Sequence, residues 1–152
     1  MNLLKRIALW MLGGLALAMC AIQLVPVART NPPVESGIDA PPQVQSILRR
    51  ACYDCHSNET TWPWYSRIAP ISWMVARDVR EARREMNFST WNRLDRKKRI
   101  RMIHEVWEQV EDGEMPPWFY LPAHPKARLS DADRAILQAW PASAGREDRA
   151  HH

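Results

Sequence analysis

Residues that build turns, cross-links and strands are scarce. Of 152 residues only five are glycine and three are cysteine. Three cysteines are too few for a disulfide-built scaffold, and no segment alternates apolar and polar residues for long enough to make a strand. An excess of one charge is also missing. The 21 Lys and Arg outnumber the 17 Asp and Glu, but Lys5, Arg6 and Arg29 flank the apolar start and leave 18 basic against 17 acidic residues elsewhere. That balance gives no electrostatic footprint for nucleic acid, and the length excludes a multidomain enzyme. Tryptophan, with eight residues, and proline, with twelve, are what the chain has in quantity. They predict a small core filled by large planar side chains.

The first 28 residues read as an address. Ile7 to Val25 form an uncharged apolar run of 19 residues, preceded by Lys5 and Arg6 and followed by Pro26 and Arg29. As a helix this run reaches roughly 28 Å, about the thickness of a hydrocarbon core. An uncleaved membrane anchor is the expectation. A cleaved signal lacks a good small-x-small site, since Pro26 precedes Ala28 and Met19 precedes Ala21, and Leu17-Ala18-Met19-Cys20 is a poor lipidation site. Two basic residues ahead of the run place the amino terminus in the cytoplasm and the rest of the chain outside, in the periplasm of a bacterium.

Beyond the anchor, residues 29–42 are proline-rich without an apolar period and read as a tether. A domain over 43–141 follows, with 142–152 as a disordered tail. Pro41 and Pro42 suit the first turn of a helix carrying Val44, Ile47, Leu48 and Ala51 on one face. A second helix runs from about Ser72 to Met86, with Val75, Val79, Ala82 and Met86 on its apolar stripe. Ser89 is a plausible N-cap for a third, marked by Ile100, Ile103, Trp107 and Val110 and ending near Gly113. Residues 115–129 are a proline-rich loop, and Ser130 to Trp140 form a last helix that Pro141 should stop. The fold class is all-α. Charge is uneven, with ten basic and four acidic residues in 77–101 and five acidic residues and no basic ones in 105–114. Solvated helix faces account for this, or a docking surface for a redox partner of complementary charge.

Cys52-Tyr53-Asp54-Cys55-His56 is a C-x-x-C-H motif, the pattern that attaches haem c. Two intervening residues let one short turn set both sulfurs against one porphyrin edge, and the next residue carries its imidazole toward the iron. Other uses of the pair are a dithiol redox site, which normally follows a strand, a zinc site, for which His104 and His124 are the nearest later histidines, or a plain disulfide. For the sixth iron ligand the best candidate is Met115, in Gly113-Glu114-Met115-Pro116-Pro117, where prolines hold an extended loop. His104 is the rival, although it lies off the apolar stripe of its helix. Met74, Met86 and Met102 lie in helices and read as core filling. His124 reads as a loop histidine, and His151 and His152 as inert. Trp62, Trp64 and Tyr65 after the motif, and Trp118, Phe119 and Tyr120 after Met115, suggest aromatic walls of a haem crevice, with Arg67 as a partner for a propionate.

The C-x-x-C-H motif, the late Gly-x-Met-Pro element and the closing amphipathic helix resemble the mono-haem class I cytochrome c arrangement. More closely, CYDCHSNETTWPWYSRIAPISWMVARDV, followed by NFSTW and GEMPPWFY, resembles the bacterial haem-binding domain family of small membrane-anchored proteins. The resemblance spans about residues 44–140. It implies one covalent haem c, His56 as proximal ligand and Met115 as distal ligand.

The resulting expectation is an anchored, periplasmic mono-haem cytochrome that moves single electrons to redox partner proteins at the membrane surface and is more an electron carrier than an enzyme. Two other classes stay open: a haem peroxidase or a gas or redox sensor with an open or labile distal site, and a non-haem C-x-x-C dithiol protein.

Overall fold

The computed structural model describes residues 3–150, with side chains as far as Ala144. Within these residues the chain is helical, with no strand and one isolated parallel bridge between Ser36 and Thr90. Helix α1 (Leu3–Ile22) buries none of its residues and is long and apolar enough to cross a membrane. Helix α2 (Pro42–Ala51) begins with proline, whose missing N–H is not needed there, and ends with Arg49 and Arg50 at its negative pole. It buries Val44, Ile47, Leu48 and Ala51, the stripe read from the sequence. After the four-residue helix α3 (Tyr53–His56) come α4 (Ile71–Glu85), α5 (Arg96–Glu111) and α6 (Asp131–Ala150). Single 3-10 turns at 64–67, 91–93 and 125–127 connect them.

Helix α6 packs on both α5 and α2, while α3 lies against α4. The core they enclose is mainly aliphatic: Val44, Ile47, Leu48, Ile103, Val106, Val110 and Leu137, with Tyr53, Phe88, Trp91 and Trp140. The expected Trp-filled core is therefore only partly found. Trp91 and Trp140 are buried, but Trp64 and Trp118 are strongly exposed.

Three local expectations change. The third helix starts at Arg96, where the Asp95 side chain accepts a hydrogen bond from Lys98 N at 2.8 Å. Ser89 is fully buried instead, its Oγ accepting from Asn58 N and its carbonyl from the N–H groups of Glu35 and Ser36. Pro141 does not stop α6, which runs on to Ala150. A proline inside a helix costs roughly 3 kcal/mol, and here the helix is held from both sides, by buried Leu137 and Trp140 before it and by Ala144 packed on the core after it. The disordered tail expected from residue 142 is thus helical as far as Ala150, and His151 and His152 lie outside the described residues.

The larger change concerns residues 29–42. They do not hang free but lie along the domain as a strap. Arg29 donates to Ser66 O, Asn31 to Thr60 O and Asn58 to Pro33 O, while Ile38 enters the core. A segment held through its carbonyls suits proline, which has no N–H to satisfy and loses little entropy on being fixed. Arg83 on α4 is the main clasp, donating to Thr30 O at 2.8 Å, Asn31 Oδ1 at 3.0 Å, Ser57 O at 2.7 Å and Thr60 Oγ1 at 2.7 Å. Replacing Arg83 by Ala removes charge-assisted bonds and leaves half-buried acceptors, at a cost of about 2 kcal/mol. The melting midpoint followed by circular dichroism should fall by on the order of 10 °C. An unchanged midpoint would show that the strap adds nothing.

Candidate functional site

The C-x-x-C-H segment is a tight turn at the end of α2. Cys52 N still donates to Leu48 O at 2.8 Å, and Cys52 O accepts from Cys55 N at 3.2 Å and His56 N at 2.9 Å. Ser57 Oγ donates to Tyr53 O and accepts from Glu59 N, which ends α3. Both thiols are free, and both line one cavity of about 600 Å³ together with His56 and Met115. Burial pushes the Cys52 thiol up to about 12, with the neighbouring Cys55 adding to it, and Cys55 up to about 11, with Asp54 and Asp78 adding to it. Redox dithiols work through a thiolate of lowered pKa, and burial shifts both of these thiols the other way. Among the described residues no group of three or more His, Cys, Asp and Glu is arranged to hold a metal ion.

His56 is held from two sides. Its carbonyl accepts from Phe88 N at 2.8 Å, and its Nδ1 lies 3.1 Å from Met86 O. A carbonyl can only accept, so Nδ1 carries the proton and Nε2 keeps its lone pair. Burial lowers the pKa of His56, opposed by the carbonyls of Met86 and Ala82, and favours the neutral ring that metal ligation requires. A ligating imidazole normally has its other nitrogen fixed in this way.

Met115 is placed by the end of α5. Gly113 has φ of 74°, a left-handed conformation that favours glycine. Glu114 N donates to Gln109 O at 3.0 Å and Gly113 N to Val110 O at 3.3 Å, the two bonds of a Schellman cap. Met115 N adds a third bond to Gln109 O, so the loop leaves the helix in a fixed direction and carries Met115, Pro116 and Pro117 to the cavity wall. His104 is not brought there. It sits exposed on α5 and lines no part of the cavity. Met86 and Met102 pack on the core as expected, Met86 also lining the cavity, whereas Met74 is largely exposed and lines the cavity. Helix α4 contributes the apolar side chains Ile71, Val75, Val79 and Ala82 to the lining, interleaved with Asp78, Glu81 and Glu85.

Sequence reasoning missed a polar cluster beside the cysteine turn. Tyr120 Oη donates to Asp54 Oδ2 at 2.8 Å, and its ring stacks on His124 with centroids 3.9 Å apart. Tyr65 Oη lies 2.6 Å from His124 Nε2, and Thr61 N donates to Asp54 Oδ1. All of these residues line the cavity. The only sequence signal was an acidic residue inside the C-x-x-C loop and tyrosines near both expected ligands. Arg67 is exposed and does not line the cavity, and among the described residues no Lys or Arg does. The acidic lining residues are instead Asp54, Asp78, Glu81, Glu85 and Glu105, beside the uncharged donors Tyr65, Tyr120, Thr61 and Gln109. Burial raises the pKa of Asp78, while a hydrogen bond from Arg77 lowers that of Glu81.

This donor set suits a haem. The cavity falls in the size range of cofactor pockets, roughly 300–1,000 Å³; it has apolar side chains from α4, two neutral thiols on one turn, an imidazole with a fixed tautomer and a thioether on a capped loop. No curated protein and no solved structure matches the chain. A family model described as a haem-binding domain matches residues 17–143, which takes in the strap, the cysteine turn, the Met115 loop and all of the packed core. The chain belongs to the haem-binding domain family.

Proposed function

We propose that the protein is a membrane-anchored mono-haem c-type cytochrome that carries single electrons in the periplasm. The observation that supports this reading is that Cys52, Cys55, His56 and Met115 all line one cavity, with His56 Nδ1 already bonded to Met86 O. When bound, haem supplies an iron that cycles between ferric and ferrous. Cys52 and Cys55 would hold the group covalently, each thiol adding across one vinyl group with its proton going to the vinyl carbon, and His56 Nε2 and Met115 Sδ would be its iron ligands. A thioether ligand favours the ferrous state and raises the potential. The fastened turn, the Met86 carbonyl and the Schellman cap keep both ligands in place, so little reorganisation accompanies transfer.

Helix α1, with Lys5 and Arg6 in its first turn ahead of the apolar run, supports an inner-membrane anchor whose carboxy-terminal domain faces the periplasm. The partners on this reading are redox proteins at the membrane surface. A peroxidase needs an open distal position served by a base, and His104, exposed and outside the cavity, is not placed to be that base. Replacing Met115 by Ala should abolish the far-red sulfur-to-iron absorption band of the oxidised protein and leave an iron that binds carbon monoxide readily when reduced. A wild-type protein without that band, or one that takes up carbon monoxide as readily as the variant, would overturn Met115 ligation.

A further inference from the structure

The segment from Trp64 to Met74 has inverted polarity. It buries its small residues Ser66, Ala69 and Ser72 and turns its large apolar side chains outward. Trp64 is 75% exposed, Ile68 44% and Trp73 37%, and none of the three lines the cavity, so a bound haem would not cover them. Ile71 and Met74 are exposed beside them and reach the cavity rim. No other stretch of the packed domain presents so many large apolar groups within about three turns of chain.

This same segment is where the domain is bonded to the end of the apolar helix. One residue past α1, Gln23 donates from Nε2 to Ala69 O at 3.1 Å and accepts at Oε1 from Ala69 N at 2.9 Å. Arg29 Nη1 donates to Ser66 O at 3.1 Å. A side-chain amide that satisfies both backbone groups of one residue fixes that residue at the helix end. Ile68 and Ile71 flank Ala69, so their side chains sit at the level where α1 leaves the hydrocarbon. Tryptophan with aliphatic neighbours is the composition found at that depth, where an amphipathic ring is stabilised between acyl chains and headgroups.

We propose that the face formed by Trp64, Ile68, Ile71, Trp73 and Met74 lies in the headgroup and acyl boundary of the bilayer that α1 crosses. This rests on the reading of α1 as a membrane anchor. The domain then does not swing on its proline-rich segment. It is held with one orientation by the Gln23–Ala69 pair, the Arg29 contact and the strap, with the rim residues Ile71 and Met74 on the membrane side.

The full haem-loaded chain, in bilayer discs of phosphatidylethanolamine and phosphatidylglycerol that carry a photoactivatable diazirine on the acyl chain, tests this directly. After irradiation and tryptic digestion, the peptide of residues 68–77 should carry lipid adducts along with that of residues 7–29, many-fold above the peptide of residues 85–93, which holds buried Phe88 and Trp91. Adducts on 7–29 with 68–77 no richer than 85–93 would overturn the proposal while leaving the anchor in place, and would assign the face to a protein partner. Adducts on neither would overturn the anchor reading and the proposal together.

Discussion

A Cys52→Ala/Cys55→Ala double variant prepared without haem is expected to lose cooperative thermal unfolding. The argument is one of volume. The cavity of about 600 Å³ lies between α4, the cysteine turn and the end of α5, and its walls are mostly apolar. At roughly 24 cal/mol for each Å³ of unfilled space, leaving it without its ligand costs at most about 14 kcal/mol. Its opening to solvent reduces that figure, but the bound is as large as the whole stability of a typical domain, about 5–15 kcal/mol. The remaining core, a dozen side chains centred on Leu48, Val110 and Leu137, joins α2, α5 and α6 and includes none from α4, whose one buried hydrophobic residue, Val79, lies outside it. Far-ultraviolet circular dichroism should therefore show a broad, low-temperature melt in which α4 is lost first. A sharp melt at the midpoint of the haem-loaded wild type would contradict the view that the ligand completes the core.

Replacing His56 by Ala is the second change with a large expected effect, and it separates ligation from attachment. Cys52 and Cys55 are untouched, so haem stays on the denatured chain. Two things would be lost at once: the imidazole nitrogen proposed as an iron ligand, and the donor that satisfies the carbonyl of Met86 at the end of α4. A buried carbonyl left without a partner costs about 1–3 kcal/mol. The low-spin visible and paramagnetic-resonance signatures of the ferric protein should disappear, and added imidazole should restore them by entering the space of the missing ring. The Met115→Ala variant should also take up added imidazole, at the position Met115 leaves, but without the far-red sulfur-to-iron band that the imidazole-restored His56→Ala protein should regain. A variant that keeps the wild-type spectrum would remove His56 from the iron.

What the sequence disclosed and what it hid follow from the range of the interactions. Helices α2 and α4 were legible to within a residue because Val44, Ile47, Leu48 and Ala51, and Val75, Val79 and Ala82, repeat at helical spacing within their own segments. The cysteine turn and the Met115 loop were legible because Cys52 to His56 and Gly113 to Pro117 each hold their chemistry within five residues. The strap was not, since nothing within residues 29–42 signals that Asn58, Arg83 and Ser89, 25 to 54 residues away, will bind its backbone. The same distance effect removed Ser89 from its expected N-cap, because a buried long-range role outweighed a local one. It also hid the Asp54, Tyr65, Tyr120 and His124 cluster, whose members come from three separate loops. Pro141 shows tertiary packing overriding a strong local preference.

The central claim is that two thiols on one turn carry a haem covalently, and one measurement tests it most directly. The full chain, expressed in a host whose periplasm can attach haem c, should be denatured and its mass compared with that of the bare sequence. The account predicts an increase equal to one haem, carried by the tryptic peptide of residues 51–67 that contains Cys52 and Cys55, and lost when both are replaced by Ala. A denatured chain at its unmodified mass, in a host shown to load another c-type protein, would contradict it.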